Sequence, residues 1–274
     1  MLHQSELGDL AEVFEAFVAR HCQGSAEDAF NIELKREHSW QVMANARAIA
    51  ESLALPDAPR RLCVAAGLLH DFGRFPQYMQ YKTFHDGKSE NHARLGARHL
   101  RKERACAGME ARARRLVQAA VILHNRRELP RGISPVLRCL AEVVRDADKL
   151  DIIRVMAGHF SSPDASNPVV TLHVKEDPQA YTPALLETIL QGKSGNYAAM
   201  QWTNDFKILL CGWVSQLTFS RSRTLLDEHG HIHRLLDTLP DLQAMRQLQE
   251  VVRTQLRTPL PEPACTQALR QWQG

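Results

Sequence analysis

The sequence predicts an all-α protein. Two observations carry this: apolar residues recur at three- and four-residue spacing through most of the chain, and only Val169–Val174 alternates as a strand would. The helical spacing runs through Leu10–Val18, Phe30–Leu53, Leu62–Leu69 and Leu116–Leu123. Ser25 with Asp28 three residues on reads as an N-cap, and Pro56 with Pro59 closes the long second helix and opens the next. Phe72–Ser89, with Gly73, Pro76 and Gly87, reads as a loop containing a short helical turn, and another helical run starts near Ser89. Gly108, and then Pro130 and Gly132, interrupt the pattern before a long helix over Pro135–Gly158. Ser161–Pro168 reads as a turn or loop, and 169–174 as one short β element with no evident partner strand. From Pro183 to Leu256 the pattern is helical again, with Trp202, Phe206, Leu209, Leu210, Trp213 and Leu217 on one face. The Pro-punctuated tail after Pro259 reads as loosely held. The expected organisation is a single helical domain over 1–274, with a C-terminal helical extension from about residue 161.

Size and composition narrow the function classes. A chain of 274 residues with 44% hydrophobic residues buries a sizeable core, which excludes wholesale disorder. The 34 basic and 31 acidic residues nearly cancel to a net charge of +3, so nothing global points to nucleic acid or a membrane surface. The basic run from Arg98 to Arg115 is interspersed with Glu103 and Glu110 and lacks an aromatic platform, which reads as a solvated helix surface. Six scattered cysteines without a C-x-x-C pair fit reduced thiols. The N-terminus lacks a signal-peptide pattern and no apolar run is long enough to span a bilayer, so a cytoplasmic, soluble protein is expected.

The chemistry concentrates in His70-Asp71, which ends the apolar run Ala-Gly-Leu-Leu-His-Asp-Phe-Gly-Arg (66–74). Neighbouring side chains on a regular helix point about 100° apart, so the two converge only where the helix ends, and Gly73 is placed to end it. Such geometry suits an aspartate that bridges two ions while the adjacent histidine binds one. His38 lies on the preceding helix, and the helix over 135–158 offers Asp146, Asp148 and Asp151. His92, and His124 at the end of another apolar helix, could hold a second ion. Four imidazoles with two carboxylates favour manganese, iron, cobalt or nickel, with magnesium possible in one position. Lys35 shares the helix face of His38, while Arg74, Gln77 and Lys88 deliver donors from the two ends of the loop after His70-Asp71. His85 sits in that loop; His229, His231 and His233 read as a turn between helices.

The order His38, His70-Asp71 and Asp148, with Leu-Leu-His-Asp-Phe-Gly-Arg and Asp-Ala-Asp-Lys-Leu-Asp (146–151), resembles the HD superfamily of metal-dependent phosphohydrolases over about residues 30–155. The resemblance implies an HD-domain-like helical bundle and places the last ligand at Asp148, with Asp146 as its rival. His92 and His124 resemble the two-metal subset of that superfamily, which includes cyclic-dinucleotide phosphodiesterases and some nucleotide hydrolases. The His-His-Glu and Gly-Tyr-Pro motifs of the cyclic-dinucleotide enzymes are absent, since Asn125 follows His124.

The implied activity is hydrolysis of a phosphate ester or anhydride on a small, nucleotide-type substrate, by attack of a metal-bridging hydroxide on phosphorus. Asp71 and Lys35 would be catalytic, Arg74, Gln77 and Lys88 would bind substrate, and His38, His70, Asp71, His92, His124 and Asp148 would hold metal. Two alternatives stand beside it: an HD-type di-iron oxygenase and a non-catalytic nucleotide sensor.

Overall fold

The computed structural model describes residues 4–161 and 174–273, and these residues are α-helical with short 3-10 turns and no strand. The strand expected at 169–174 and the turn expected at Ser161–Pro168 lie almost wholly outside the described residues. A single parallel bridge, Lys175 to Trp202, is the one β contact described. The Cα packing divides the chain into one unit of residues 1–148 with 262–274, and a second of residues 149–261.

The first unit contains α1 (Gln4–His21), α2 (Ala26–Ser52), α3 (Asp57–Leu69), α4 (Arg74–Tyr81), α5 (His92–Lys102), α6 (Ala111–Leu123) and the first part of α7 (Pro135–Ser161). Helix α2 starts at a capping box in which Ser25 and Asp28 satisfy each other's backbone N–H, as the sequence predicts. It packs along α3, α3 along α6, and α6 along α5. Phe14, Phe17 and Val18 bury the apolar stripe of α1. Phe17 stacks on Phe72 at 3.8 Å between ring centres, and Phe14 meets Phe75 edge-on. Phe72 directly follows Asp71, so this aromatic cluster fixes the turn that carries the His-Asp pair.

Two expectations need correction. The segment after His-Asp is not mainly loop, because Arg74–Tyr81 forms a two-turn helix. Pro76 sits in its first turn, where the missing N–H would have no helical partner, and Phe75 and Tyr78 are buried. Gly73 does not end α3 in a left-handed conformation. Its φ is −77°, and it stands at the start of α4 for a different reason: a Cβ there would lie 2.1 Å from the His92 carbonyl oxygen and 2.4 Å from the Gly96 nitrogen. Absence of a side chain lets the His-Asp turn touch the backbone of α5.

The tail is also not loosely held. Cys265–Arg270 forms a helix, α13, that belongs to the first unit, with Thr266 and Leu269 fully buried and Trp272 nearly so. Arg270 donates to the Leu53 carbonyl at 2.8 Å, capping the end of α2. Leu269→Ala is expected to lose about 2–5 kcal/mol of stability, read by urea unfolding, because it opens a cavity in a closed core. A loss below about 0.5 kcal/mol would mean that the tail does not share that core.

In the second unit the helical expectation for Pro183–Leu256 resolves into α8 (Pro183–Leu190), α9 (Thr203–Gly212), α10 (Ser220–Glu228), α11 (His231–Asp237) and α12 (Gln243–Arg257). Helix α9 stops at Gly212, so Trp213 and Leu217 lie beyond it rather than on its face. Asp205 and Asn204 organise its entry. The Asp205 carboxylate accepts from the backbone of Thr182, Gln201 and Trp202, and the Asn204 amide donates to the carbonyls of Asp177, Pro178 and Ala180. Among the described residues no helix is long and apolar enough to cross a membrane.

Candidate metal centre

Helices α3 and α6 end alike: each is an apolar helix whose C-cap is a histidine. The Nδ1 of His70 donates to the Gly67 carbonyl at 2.8 Å, and that of His124 donates to the Val121 carbonyl at 2.7 Å. Each ring thereby satisfies a carbonyl left over at its own helix end and turns its Nε2 inward. His92 is oriented differently, by the Asp86 carboxylate, both of whose oxygens lie 2.8 Å from its Nδ1. His38 comes from the middle of α2 and Asp148 from the middle of α7. Seven residues beyond His38, Asn45 donates to the Ala147 carbonyl at 3.2 Å, holding α7 beside the site at the residue before Asp148.

These elements bring together all six donors the sequence singles out, His38, His70, Asp71, His92, His124 and Asp148, in overlapping groups. Asp71 is central. Its Oδ2 lies 3.5 Å from His38 Nε2 and 3.7 Å from His70 Nε2, and Asp148 Oδ1 lies 3.2 and 3.5 Å from the same two nitrogens. Its other oxygen, Oδ1, lies 3.4 Å from His92 Nε2 and 3.7 Å from His124 Nε2. Asp146 is fully buried but belongs to none of the donor groups, and Asp151 is paired with Arg154.

The donor set fits divalent cations. Around an ion bound at about 2.1 Å, neighbouring ligand atoms stand about 3.0–3.4 Å apart, and the donor atoms here approach one another to 3.0–3.7 Å. The imidazole pairs give a sharper test. With Nδ1 protons committed to Asp86 and Val121, neutral His92 and His124 point unprotonated Nε2 atoms at each other across 3.0 Å. Burial and the neighbouring His92 and His70 push the His124 pKa down to about 3, so an imidazolium proton does not relieve that contact. His38 and His70 bring their Nε2 atoms to 3.1 Å from each other. Facing lone pairs in a buried site are what a cation between them would satisfy.

Electrostatics keep the carboxylates ionised. Burial opposes the charge on Asp71, but Lys35, His70, Arg74 and His92 outweigh it and hold its carboxyl well below the usual range. Burial likewise opposes ionisation of Asp148, and hydrogen bonds from His38 and His70 prevail. Lys35 Nζ lies 2.9 Å from Asp71 Oδ2 and 5.3 Å from the centre of the Phe84 ring.

The other predicted residues have distinct environments. Arg74 lies 3.5 Å from Asp71 Oδ1 and also binds Asp86 Oδ1, Gln77 Oε1 and the Phe84 carbonyl. Gln77 is fully buried, and its amide nitrogen donates to Asp86, Ser89 and the Glu90 carbonyl. Lys88 and His85 are exposed on the loop, and His85 belongs to none of the donor groups. Asp86 is the residue sequence reasoning missed. Its signal was a carboxylate in the loop between two ligand helices, but no periodicity fixes which loop residue turns inward.

Donors converging from several helices onto one shared aspartate define a helical protein with a buried histidine and aspartate cluster that could hold metal. The sequence model of the HD domain family matches residues 36–153, the stretch that carries all six donors. HD domains bind divalent metals, and the family is mostly metal-dependent phosphohydrolases. No curated protein and no solved structure matches the chain.

Proposed function

We propose that this protein is a metal-dependent phosphohydrolase that cleaves a phosphate ester or anhydride of a small, nucleotide-type substrate. The observation that carries the reading is Asp71, one carboxylate whose two oxygens face two separate sets of imidazoles. When bound there, two divalent ions would supply a water of lowered pKa and positive charge opposite the phosphoryl oxygens.

The chain's own residues supply the rest. Asp71 sets the separation of the two halves. Lys35, which is 17% exposed while its Nζ touches Asp71, is placed to take a phosphoryl oxygen at the edge of the cluster. Arg74 and Lys88 add positive charge at the two ends of the loop, and Gln77, with its amide engaged at both ends, acts by holding that loop. The nucleotide part of the reading rests on the family resemblance and on Phe84, an aromatic ring within 5.3 Å of Lys35 Nζ and 5.9 Å of the Arg74 guanidinium.

A phosphate-release screen over nucleotides, comparing manganese, cobalt, nickel and magnesium, tests the reaction and its metal together. On the best substrate, Lys35→Met is expected to lower kcat/KM about 100-fold while elemental analysis finds metal content unchanged. Loss of metal in that variant would make Lys35 a support of the site rather than a contact to substrate. Oxygen uptake by the iron form, with no phosphate released from any nucleotide, would replace the hydrolase reading with the di-iron oxygenase.

A further inference from the structure

The two halves of the cluster are supported by different parts of the fold. The half on Asp71 Oδ2 rests on helices: His38 lies within α2, His70 is locked to the Gly67 carbonyl, and Asn45 holds α7 at the residue before Asp148. The half on Asp71 Oδ1 has one support of that kind, His124 locked to the Val121 carbonyl, and is otherwise organised by one loop carboxylate, Asp86. Its oxygens accept from His92 Nδ1 at 2.8 Å, Gln77 Nε2 at 2.9 Å, Arg74 at 3.0 Å, Asn125 Nδ2 at 3.3 Å and Asn91 Nδ2 at 3.4 Å.

These partners lead to every donor of that half. His92 is bound directly. His124 is reached through Asn125, the next residue. Asp71 Oδ1 is reached through Arg74, which lies 3.5 Å from it. Asp86 thus ties the start of α5 to the end of α6 and to the His-Asp turn, and it touches none of His38, His70 or Asp148. Outer carboxylates that bind a ligand imidazole typically change metal affinity about 10–100-fold when removed.

We propose that Asp86 is the positioning residue that completes the second half of the centre, so that the protein holds one divalent ion without it and two with it. The proposal rests on the metal-centre reading above. It also orders the loading: the ion facing His38, His70 and Asp148 binds first, and the ion facing His92 and His124 follows once the Asp86 loop is in place.

Calorimetric titration of metal-free protein with manganese(II), followed by electron paramagnetic resonance of the loaded form, tests this without recourse to activity. The wild type is expected to take two ions and give the signal of a coupled pair. Asp86→Asn is expected to keep the first affinity within about threefold, weaken the second about 10–100-fold, and give the signal of an isolated ion. Asp86→Glu, which keeps the charge, should recover part of the second affinity. If Asp86→Asn does not fold, Asn125→Ala cuts only the link towards His124 and should weaken the second ion selectively. Two ions at wild-type affinity in the variants, or loss of both ions together, would overturn the proposal while leaving the metal centre intact. A wild type that binds no ion would overturn the metal-centre reading, and this proposal with it.

Discussion

Asp71→Ala is expected to strip metal from the protein and to lower hydrolysis by at least about 1000-fold. The size follows from the shared position of the carboxylate. Its oxygens approach His38, His70, His92 and His124, so its loss removes a donor from each half at once. Removal of His38 or His92 would leave the opposite half with its donors. Asp146→Ala is the informative control, because Asp146 lies two residues from Asp148 and is buried, yet belongs to no donor group. That variant should retain most of its metal by elemental analysis. Metal lost from Asp146→Ala and kept in Asp71→Ala would reverse the assignment of the carboxylates.

Gly73→Ala is the substitution expected to damage the fold most for its size. The added methyl would meet the His92 carbonyl oxygen at 2.1 Å and the Gly96 nitrogen at 2.4 Å, and both obstacles are backbone. Neither can swing aside as a side chain would, so α5 must move away from the His-Asp turn. A loss of about 3 kcal/mol or more is expected in urea unfolding, at the upper end of what overpacking costs. Because α5 begins at His92, manganese bound by the half containing His92 and His124 should weaken as well. Gly96→Ala should be milder, since its added carbon would approach the Gly73 nitrogen only to 3.0 Å. Equal stability of Gly73→Ala and the wild type would mean that this backbone contact does not form.

The helices of the first unit were legible because each shows its buried stripe in the sequence, as Leu10, Phe14, Phe17 and Val18 do in α1. The donors were legible for a related reason: histidines and aspartates standing where apolar helices end, or on their faces, conflict with core filling. What escaped was set by contacts between segments distant in sequence. Gly73 resembles a helix stop, and only the position of α5 reveals its actual constraint. Pro76 resembles a breaker but falls in a first turn, where proline is tolerated. The tail after Pro259 carries proline spacing typical of loose chain, and the burial of Leu269 and Trp272 depends on a surface that local pattern cannot display. Asp86 belongs to the same class. One loop aspartate looks like another until His92, Arg74, Gln77 and Asn125 are brought around it.

The buried histidine and aspartate cluster is proposed as a metal centre that hydrolyses phosphate compounds. Its most direct test is phosphate release from a nucleotide panel by wild-type protein in oxygen-18 water, before and after metal is removed with a chelator and restored. Phosphate released is expected to carry the label, with release stopping on metal removal and returning with manganese or cobalt. Release that is indifferent to chelation, or no release with any metal and any nucleotide, would contradict it.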